Sequence, residues 1–319
     1  MEAVPYVFCE EVLERLSKEN LYTTAELSGQ WKSAAQIFLD KRRIFFIKIS
    51  KDDEGWWYAL HDSKTWDIEN GPHSHEEFLS MDRTHMECCI ISVNYKFDEQ
   101  DGRQFRCSKE EIARRVVPFL TLRMRPHSTL LFSRDCPKEI AQECLNMFRS
   151  CFSFGMLNLV YVGPESEEFL ALQLKNNQFL CGLSLRCWQH TETTEQLLLT
   201  FLNSRKKRYL DITHYSDIQS PLKVTIRIVK AAVDSWVRGD YKRALSVYGN
   251  IGVTPAEILS IPLPENVAMS EEEGEEEGNF CVRWIKVDGS SLKCDVDFSD
   301  DQVLIDSSDS LTNWLGSPV

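Results

Sequence analysis

The sequence has no long apolar run and little positive charge. No stretch of about 18 consecutive apolar residues is present, so no segment is predicted to span a membrane. Residues 1–5 lack the basic start and apolar stretch of a signal peptide. The chain has 36 lysines and arginines against 49 aspartates and glutamates, a net charge of −13. That balance disfavours nucleic acid and acidic membranes as partners, because both attract basic faces.

Sequence patterns of catalytic and cofactor sites are also missing. The chain has no Gly-x-x-x-x-Gly-Lys loop, no Gly-x-Gly-x-x-Gly and no Gly-x-Ser-x-Gly. Cys187 and His190 are close in sequence only, whereas a nucleophile and its base must meet in space. We therefore expect no enzyme, no cofactor and no metal. The histidines and cysteine weighed as zinc ligands lack paired ligand spacing: His61, His73, His75, His85 and Cys88.

Cysteine usage and composition indicate an intracellular globular chain. Eleven cysteines, an odd number without regular spacing, do not form a complete disulfide framework. We expect reduced thiols and a cytoplasmic location. The basic run 205–208 has two interpretations, a nuclear import signal or cations at a helix end. The 319 residues, 43% of them hydrophobic, suit one large or two modest domains.

Apolar periodicity divides the chain into five predicted segments. Residues 1–40 are predicted to be helical, 41–100 to be rich in β-hairpins, and 101–263 to form αβ repeats. Residues 264–279 form an acidic linker, whose glutamate run 271–277 favours a solvated loop over a docking tail. A C-terminal hairpin and tail occupy 280–319, with Asp288-Gly289 at the turn.

A regular repeat dominates the centre of the sequence. Strand-like segments begin at Leu130, Leu157, Leu183 and Leu210, so they lie 27, 26 and 27 residues apart. Each follows a stretch of helical character. One helix and one strand at a fixed period indicate a solenoid of parallel strands with helices outside, since a single unit cannot bury its own apolar face. After residue 213 the period slips, and 258–261 is predicted as a last strand.

The N-terminal segment resembles an F-box. Val4-Pro5 stands at the place of the Leu-Pro of that motif, followed by an apolar helix, a short break with a leucine and a helix with tryptophan. With the leucine-rich αβ units behind it, the chain is similar to the nematode F-box proteins that carry an F-box-associated domain. The resemblance implies an α/β fold made of a small helical F-box-like module, a β-hairpin region, a leucine-rich-repeat-like αβ solenoid and a C-terminal β-hairpin.

The same resemblance implies a protein-binding adaptor, the substrate receptor of a cullin-type ubiquitin ligase. Helix faces of an F-box dock on a Skp-type adaptor. The residues implied in adaptor binding are Pro5, Val12, Leu13, Leu16, Leu21, Leu27 and Trp31. The alternative is that residues 4–38 cap the solenoid. The chain is then a non-catalytic recognition or scaffold protein without a ligase link.

The repeat also predicts where an unknown protein substrate is bound. In each strand the leucines point inward, and the residues between them line the other face of the sheet, because side chains alternate along a strand. The predicted substrate-recognition residues are Leu131, Ser133, Asn158, Val160, Ser184, Arg186, Asp211 and Thr213. The alternative is an ordinary sheet face, covered by another segment or by water.

Overall fold

The chain folds into two compact α/β units. The structure, a computed structural model, describes residues 4–13, 16, 18–41, 43–62, 74–80, 86–94, 103–204, 208–213, 222–239, 245–273 and 279–307. Unit 1 comprises Met1–Ile140 and unit 2 comprises Ala141–Val319. Both combine helices with a sheet that contains parallel strands, which confirms the predicted α/β class. The division falls inside the predicted repeat region 101–263.

Unit 1 begins with a helical module. It consists of α1 (Tyr6–Leu13), α2 (Lys18–Ala25) and α3 (Gln30–Lys41), and α3 contacts both of the others. Gly29 lies just before α3 at φ +70°, a left-handed conformation that favours glycine. The module has a core of its own, formed by Cys9, Leu13, Leu21, Ala34, Ala35 and Phe38. The helical prediction for the N-terminal segment is confirmed.

A mixed sheet makes up the rest of unit 1. Its order is β4-β2-β1-β3-β5, with β1, β3 and β5 parallel and the pairs β1/β2 and β2/β4 antiparallel. The strands are β1 (Arg43–Asp52), β2 (Gly55–Asp62), β3 (Met86–Val93), β4 (Arg103–Arg106) and β5 (Met124–Phe132). The helices are α4 (His75–Ser80), α5 (Lys109–Glu111), a π-helical segment (Ile112–Val116) and α6 (Val117–Thr121). The β1–β2 hairpin lies in the segment that is predicted to be rich in β-hairpins.

Unit 2 contains the strands that follow β5 and helices of its own. Its strands are β6 (Phe154–Val160), β7 (Gly182–Arg186), β8 (Arg208–Ile212), β9 (Val224–Thr225), β10 (Leu245–Gly252), β11 (Val267–Glu273), β12 (Phe280–Lys286), β13 (Ser291–Asp297) and β14 (Gln302–Ser307). The helices are α8 (Pro164–Asn176), α9 (Glu192–Asn203), α10 (Ile226–Arg238) and α11 (Pro255–Leu259). Helix α7 (Lys138–Met147) spans the division between the units.

Three of the four strands predicted from the leucine spacing are present in the first half of unit 2. Strands β6, β7 and β8 are adjacent and parallel, and Leu157, Leu183 and Leu210 are paired in register. Helix α8 contacts α9, and α9 contacts α10. The leucines are fully buried, as residues under a helical layer should be. The remaining predicted repeat strand, at residue 130, forms part of β5 in unit 1.

The second half of unit 2 departs from the repeat. Strand β10 pairs in parallel with β8, and then β14, β13, β12 and β11 follow in antiparallel order. The pairing of β12 with β13 confirms the predicted C-terminal hairpin. The solvated-loop interpretation of the acidic run is wrong for 271–273, which belong to β11. There Glu272 Oε1 lies 2.8 Å from Arg283 Nε on β12. Residues 274–278 lie outside the described residues.

Helix α11 corrects a second prediction. Residues 258–261 are predicted as a strand because isoleucine and leucine dominate them, but the helix begins at Pro255. The Thr254 side chain accepts a hydrogen bond from the backbone amide of Glu257. The Glu257 side chain in turn accepts one from the backbone amide of Thr254. This reciprocal cap and a proline in the first turn favour a helix start. Local capping therefore outweighs the β propensity of Ile258 and Ile261.

All eleven cysteines are free thiols, as the sequence predicts. Burial raises the pKa of Cys89 to about 11 and that of Cys107 to about 11. Since the thiolate is the reactive form, both native thiols should react at least ~100-fold more slowly at pH 8 than in unfolded chains. Titration with a chromogenic thiol reagent, without reductant, should count eleven thiols in denatured protein. A count lower by two would reveal a disulfide.

Candidate functional site

A row of polar side chains crosses the parallel strands of unit 2. Asn158 on β6 is paired with Ser184 on β7, Ser184 with Asp211 on β8, and Asp211 with Tyr248 on β10. Residues paired directly across strands share one face of the sheet. We call these four residues the polar row. The alternation of apolar and polar residues along each strand places the row opposite the leucines of the repeat.

Asp211 is the charged member of the polar row and is held in one orientation. Its Oδ1 accepts hydrogen bonds from the amide of Thr213 at 2.9 Å and from Thr213 Oγ1 at 2.5 Å. Its Oδ2 accepts one from Ser184 Oγ at 3.2 Å. The residue is only 8% exposed. Within the described residues its carboxylate has neutral hydrogen-bond donors and no cation.

Asn158 occupies one end of the polar row and is incompletely satisfied. The residue is 7% exposed, and its Oδ1 is buried without a hydrogen-bond partner among the described residues. Buried polar atoms without partners are uncommon because each loses its hydration without a replacement. Tyr248, at the other end, donates its hydroxyl proton to Gln302 Oε1. The acceptor capacity of the row is therefore concentrated at Asn158 and Asp211.

Arg186 follows Ser184 by two residues on β7 and projects from the same face. It is half-buried, and within the part of the chain that the structure describes its guanidinium has no hydrogen bond or ion pair. Val160 on β6 is its register partner and is buried. The Arg186 guanidinium, whose N–H groups can still donate hydrogen bonds, thus lies next to the acceptor-rich polar row.

The structure places the predicted recognition residues as follows. Leu131 and Ser133 belong to unit 1, where Ser133 Oγ accepts a hydrogen bond from Asn94 Nδ2 at 3.2 Å. The other six belong to unit 2. Leu131 and Arg186 are half-buried. The rest are buried rather than openly exposed: Ser133, Asn158, Val160, Ser184, Asp211 and Thr213. Their role in recognition stays a prediction.

Tyr248 is the member of the polar row that sequence reasoning missed. The regular spacing of 26–27 residues ends at β8, so the spacing did not predict the next strand, β10. A signal was present, because Leu245, Val247 and Ile251 alternate with polar residues around Gly249. That alternation is typical of a strand with one buried face.

The predicted adaptor-binding residues divide by burial. Leu13 and Leu21 are fully buried in the core of the helical module. Val12, Leu16 and Trp31 are half-buried. Pro5 and Leu27 are exposed, and Leu27 has 42% of its surface accessible.

Apolar side chains that the sequence did not single out also lie on the surface of the module. Phe8 is 50% exposed, and its ring meets that of Trp31 edge-on with 6.3 Å between centroids. Val7 and Tyr22 are exposed as well. Large apolar side chains on a small module lose favourable burial unless a partner covers them.

Other candidate sites have little structural support. Cys187, directly after β7, has φ +60°, a strained conformation for a non-glycine residue, but the structure shows no contact between its thiol and His190. Within the described ranges, no group of three or more potential ligands is arranged for a metal ion. His73 and His85 lie outside the described residues. Arg208 Nε donates to the carbonyl of Phe201 in α9 at 2.8 Å, which fits the helix-end interpretation of the basic run.

Comparisons with known proteins give no relative. No protein-family model, no curated protein and no solved structure matches the chain. Among the described residues, the helices are too short or too polar to cross a lipid bilayer.

Proposed function

We propose that the chain is a non-catalytic adaptor that binds two proteins. The helical module binds a Skp-type adaptor of a cullin ubiquitin ligase, and unit 2 binds the protein substrate. The observation that carries the proposal is the pair of features in residues 4–41: a separate core, and large apolar side chains left outside it. The residues that dock are Val7, Phe8, Tyr22, Leu27 and Trp31, with Pro5 beside them.

The side-by-side helices of unit 2 support the substrate-binding half of the proposal. The parallel strands β6, β7 and β8, with α8, α9 and α10 in successive contact, are compatible with a leucine-rich-repeat-like solenoid and support this half of the proposal. We propose that the sheet face opposite the helices, where Arg186 and Tyr248 are half-buried and the other residues of the polar row are buried, contacts the partner. The polar row and Arg186 lie on that face, so a polar protein surface is the partner that it fits.

A second candidate function follows from the burial of Leu13 and Leu21. Both complete the core of the helical module, as residues of a purely structural element would. The chain is then a recognition or scaffold protein with the same substrate face and no ligase. The two candidates differ in whether the exposed apolar side chains of the module contact an adaptor.

Binding to a purified Skp-type adaptor in complex with its cullin separates the candidates. We expect the intact chain to bind, and the double variant Phe8→Asp, Leu27→Asp to lose at least about 30-fold in affinity, since residues at the centre of an interface carry most of its energy. Both side chains are substantially exposed, so the variant should keep the unfolding temperature of the wild type. Affinity is measured by surface plasmon resonance, and stability by thermal unfolding.

The matched control is Val287→Asp, Phe298→Asp, which places the same charges on exposed apolar residues of unit 2. This control should bind the adaptor as the wild type does. Wild-type protein that does not bind the adaptor at all refutes the ligase role and leaves the scaffold. Equal losses in both double variants would show a general charge effect and count against docking by the helical module.

A further inference from the structure

We infer that the outer side of β11, at Met269 and Glu271, is a docking edge that binds an extended basic segment of a partner protein as an additional strand. Strand β11 lies at one end of the sheet order and, among the described residues, pairs only with β12. An edge strand presents a row of backbone amides and carbonyls to an incoming chain. The inference goes beyond the proposed function, because neither adaptor binding nor the sheet face around the polar row involves β11.

The register of β11 identifies the backbone groups on its open side. The amide of Val287 donates to the carbonyl of Asn266 at 3.3 Å, so these two residues form a hydrogen-bonded pair of the antiparallel ladder. Such pairs alternate with pairs whose amides and carbonyls point away from the neighbouring strand. Met269 and Glu271 therefore direct their amides and carbonyls outward, whereas those of residues 268 and 270 face β12.

A local turn agrees with this assignment and marks the start of the open side. The amide of Val267, two residues before Met269, donates to the carbonyl of Pro264 at 3.0 Å instead of to β12. Among the described residues, the amides and carbonyls of Met269 and Glu271 have no hydrogen-bond partner. Each of these groups can form a hydrogen bond with an added strand, and backbone bonds of this kind supply the affinity of strand addition.

Charge at the docking edge favours a basic partner over a second copy of this chain. Glu265 and Glu271 are exposed and have no ion pair within the described part of the chain. Glu272, in contrast, is paired with Arg283. Like charges that lie opposite each other on neighbouring strands destabilise the pairing, whereas opposite charges stabilise it. Two β11 edges side by side would bring glutamates together, so a strand with lysine or arginine is the occupant that fits.

Synthetic peptides test the docking edge. The probe is a fluorescein-labelled nine-residue peptide in which lysine alternates with valine, and fluorescence anisotropy is recorded as the full-length chain is added. We expect saturable binding, at least ~10-fold tighter than for the same peptide with glutamate in place of lysine. N-methylation of the four central amides keeps the charge and removes backbone donors, so it should weaken binding by at least ~10-fold.

Amide exchange of the wild-type protein locates the bound peptide. In the free protein, the amides of Met269 and Glu271 should exchange with solvent faster than those of Ala268 and Ser270, because only the second pair is bonded to β12. The lysine peptide at saturation should slow exchange at Met269 and Glu271 by at least ~10-fold, measured by NMR. This measurement needs no variant, so it carries the test if a substituted chain does not fold.

Proline variants at two exposed positions of β11 complete the test. Glu271→Pro removes an outward donor and leaves the bonds to β12 in place, so it should keep the wild-type unfolding temperature and lose at least ~10-fold in peptide affinity. Ala268→Pro is the matched control, because it removes a donor that bonds to β12 and should lower the unfolding temperature. Glu271→Gln removes the charge alone and should weaken binding by only ~2-fold to ~5-fold.

Three results would overturn the docking edge: no binding of the lysine peptide, equal binding of its N-methylated form, and no added protection at Met269 or Glu271. Equal affinity for the glutamate peptide would overturn the selection of a basic partner. A dimer in sedimentation velocity that Glu271→Pro abolishes would assign the edge to a second copy instead. Failure of the docking edge is distinct from failure of the ligase role, because adaptor binding is measured separately on the same protein.

Discussion

The substitution Leu13→Asp is expected to unfold the helical module. Leu13 is fully buried at the end of α1, among the six residues of the module core. An unpaired carboxylate in that position costs several kcal/mol, and a module of this size has little stability in reserve. The expected observation is a loss of hydrogen-exchange protection across α1, α2 and α3, measured on peptides from residues 4–41.

The matched control for this prediction lies on the same helix. Phe8→Asp introduces the same charge five residues earlier, at a side chain that is half exposed. It should leave exchange protection close to that of the wild type and affect only adaptor binding. If Leu13→Asp protein kept its protection, Leu13 would be reachable by solvent and would return to the set of docking residues.

Local pattern was sufficient to predict the elements whose partners are close in sequence. The β1–β2 hairpin follows from β-branched and aromatic residues on both sides of a turn at Gly55, which has φ +120°. The repeat strands β6, β7 and β8 follow from evenly spaced leucines that all serve one buried face. In both cases the residues that define the pattern also contact each other.

Elements with distant partners could not be predicted in the same way. Strand β14 pairs with β10, more than fifty residues away, and nothing in its own six residues identifies that neighbour. Strand β11 carries consecutive glutamates that predict a loop, yet pairing with β12 and the ion pair of Glu272 with Arg283 stabilise it as a strand. Tertiary contacts outweighed local propensity at these places.

The sequence predicted which residues of the candidate site share one face of the sheet, but not their burial or their hydrogen bonds. Alternation along the repeat strands correctly placed Asn158, Ser184 and Asp211 on one face. It did not reveal that these side chains are buried or that Ser184 donates to Asp211, because both depend on the neighbouring strand. The helical module shows the same limit. Periodicity identified its apolar residues, but only packing distinguishes buried Leu13 from exposed Phe8.

The strand after the polar row contains a glycine whose replacement is expected to destabilise unit 2. Gly249 on β10 pairs with Ile212 on β8. A Cβ at this position would overlap Cγ1 of Ile212 and come within 2.8 Å of Cγ2 of Val224. Both neighbours are fully buried branched side chains with little room to move. Gly249→Ala should lower the free energy of unfolding by about 1–3 kcal/mol, as overpacking commonly does.

Gly182→Ala on β7 is the matched control. This substitution is expected to raise the free energy of unfolding rather than lower it. A Cβ there would meet Cγ of Met156 at 3.0 Å, and the unbranched methionine side chain can shift. Alanine also restricts the unfolded chain more than glycine does, which stabilises a strand that can accept it by about 0.4–1 kcal/mol. Urea unfolding measures both variants. If Gly249→Ala is as stable as Gly182→Ala, Ile212 and Val224 can move aside, and close approach of β8 to β10 does not require glycine.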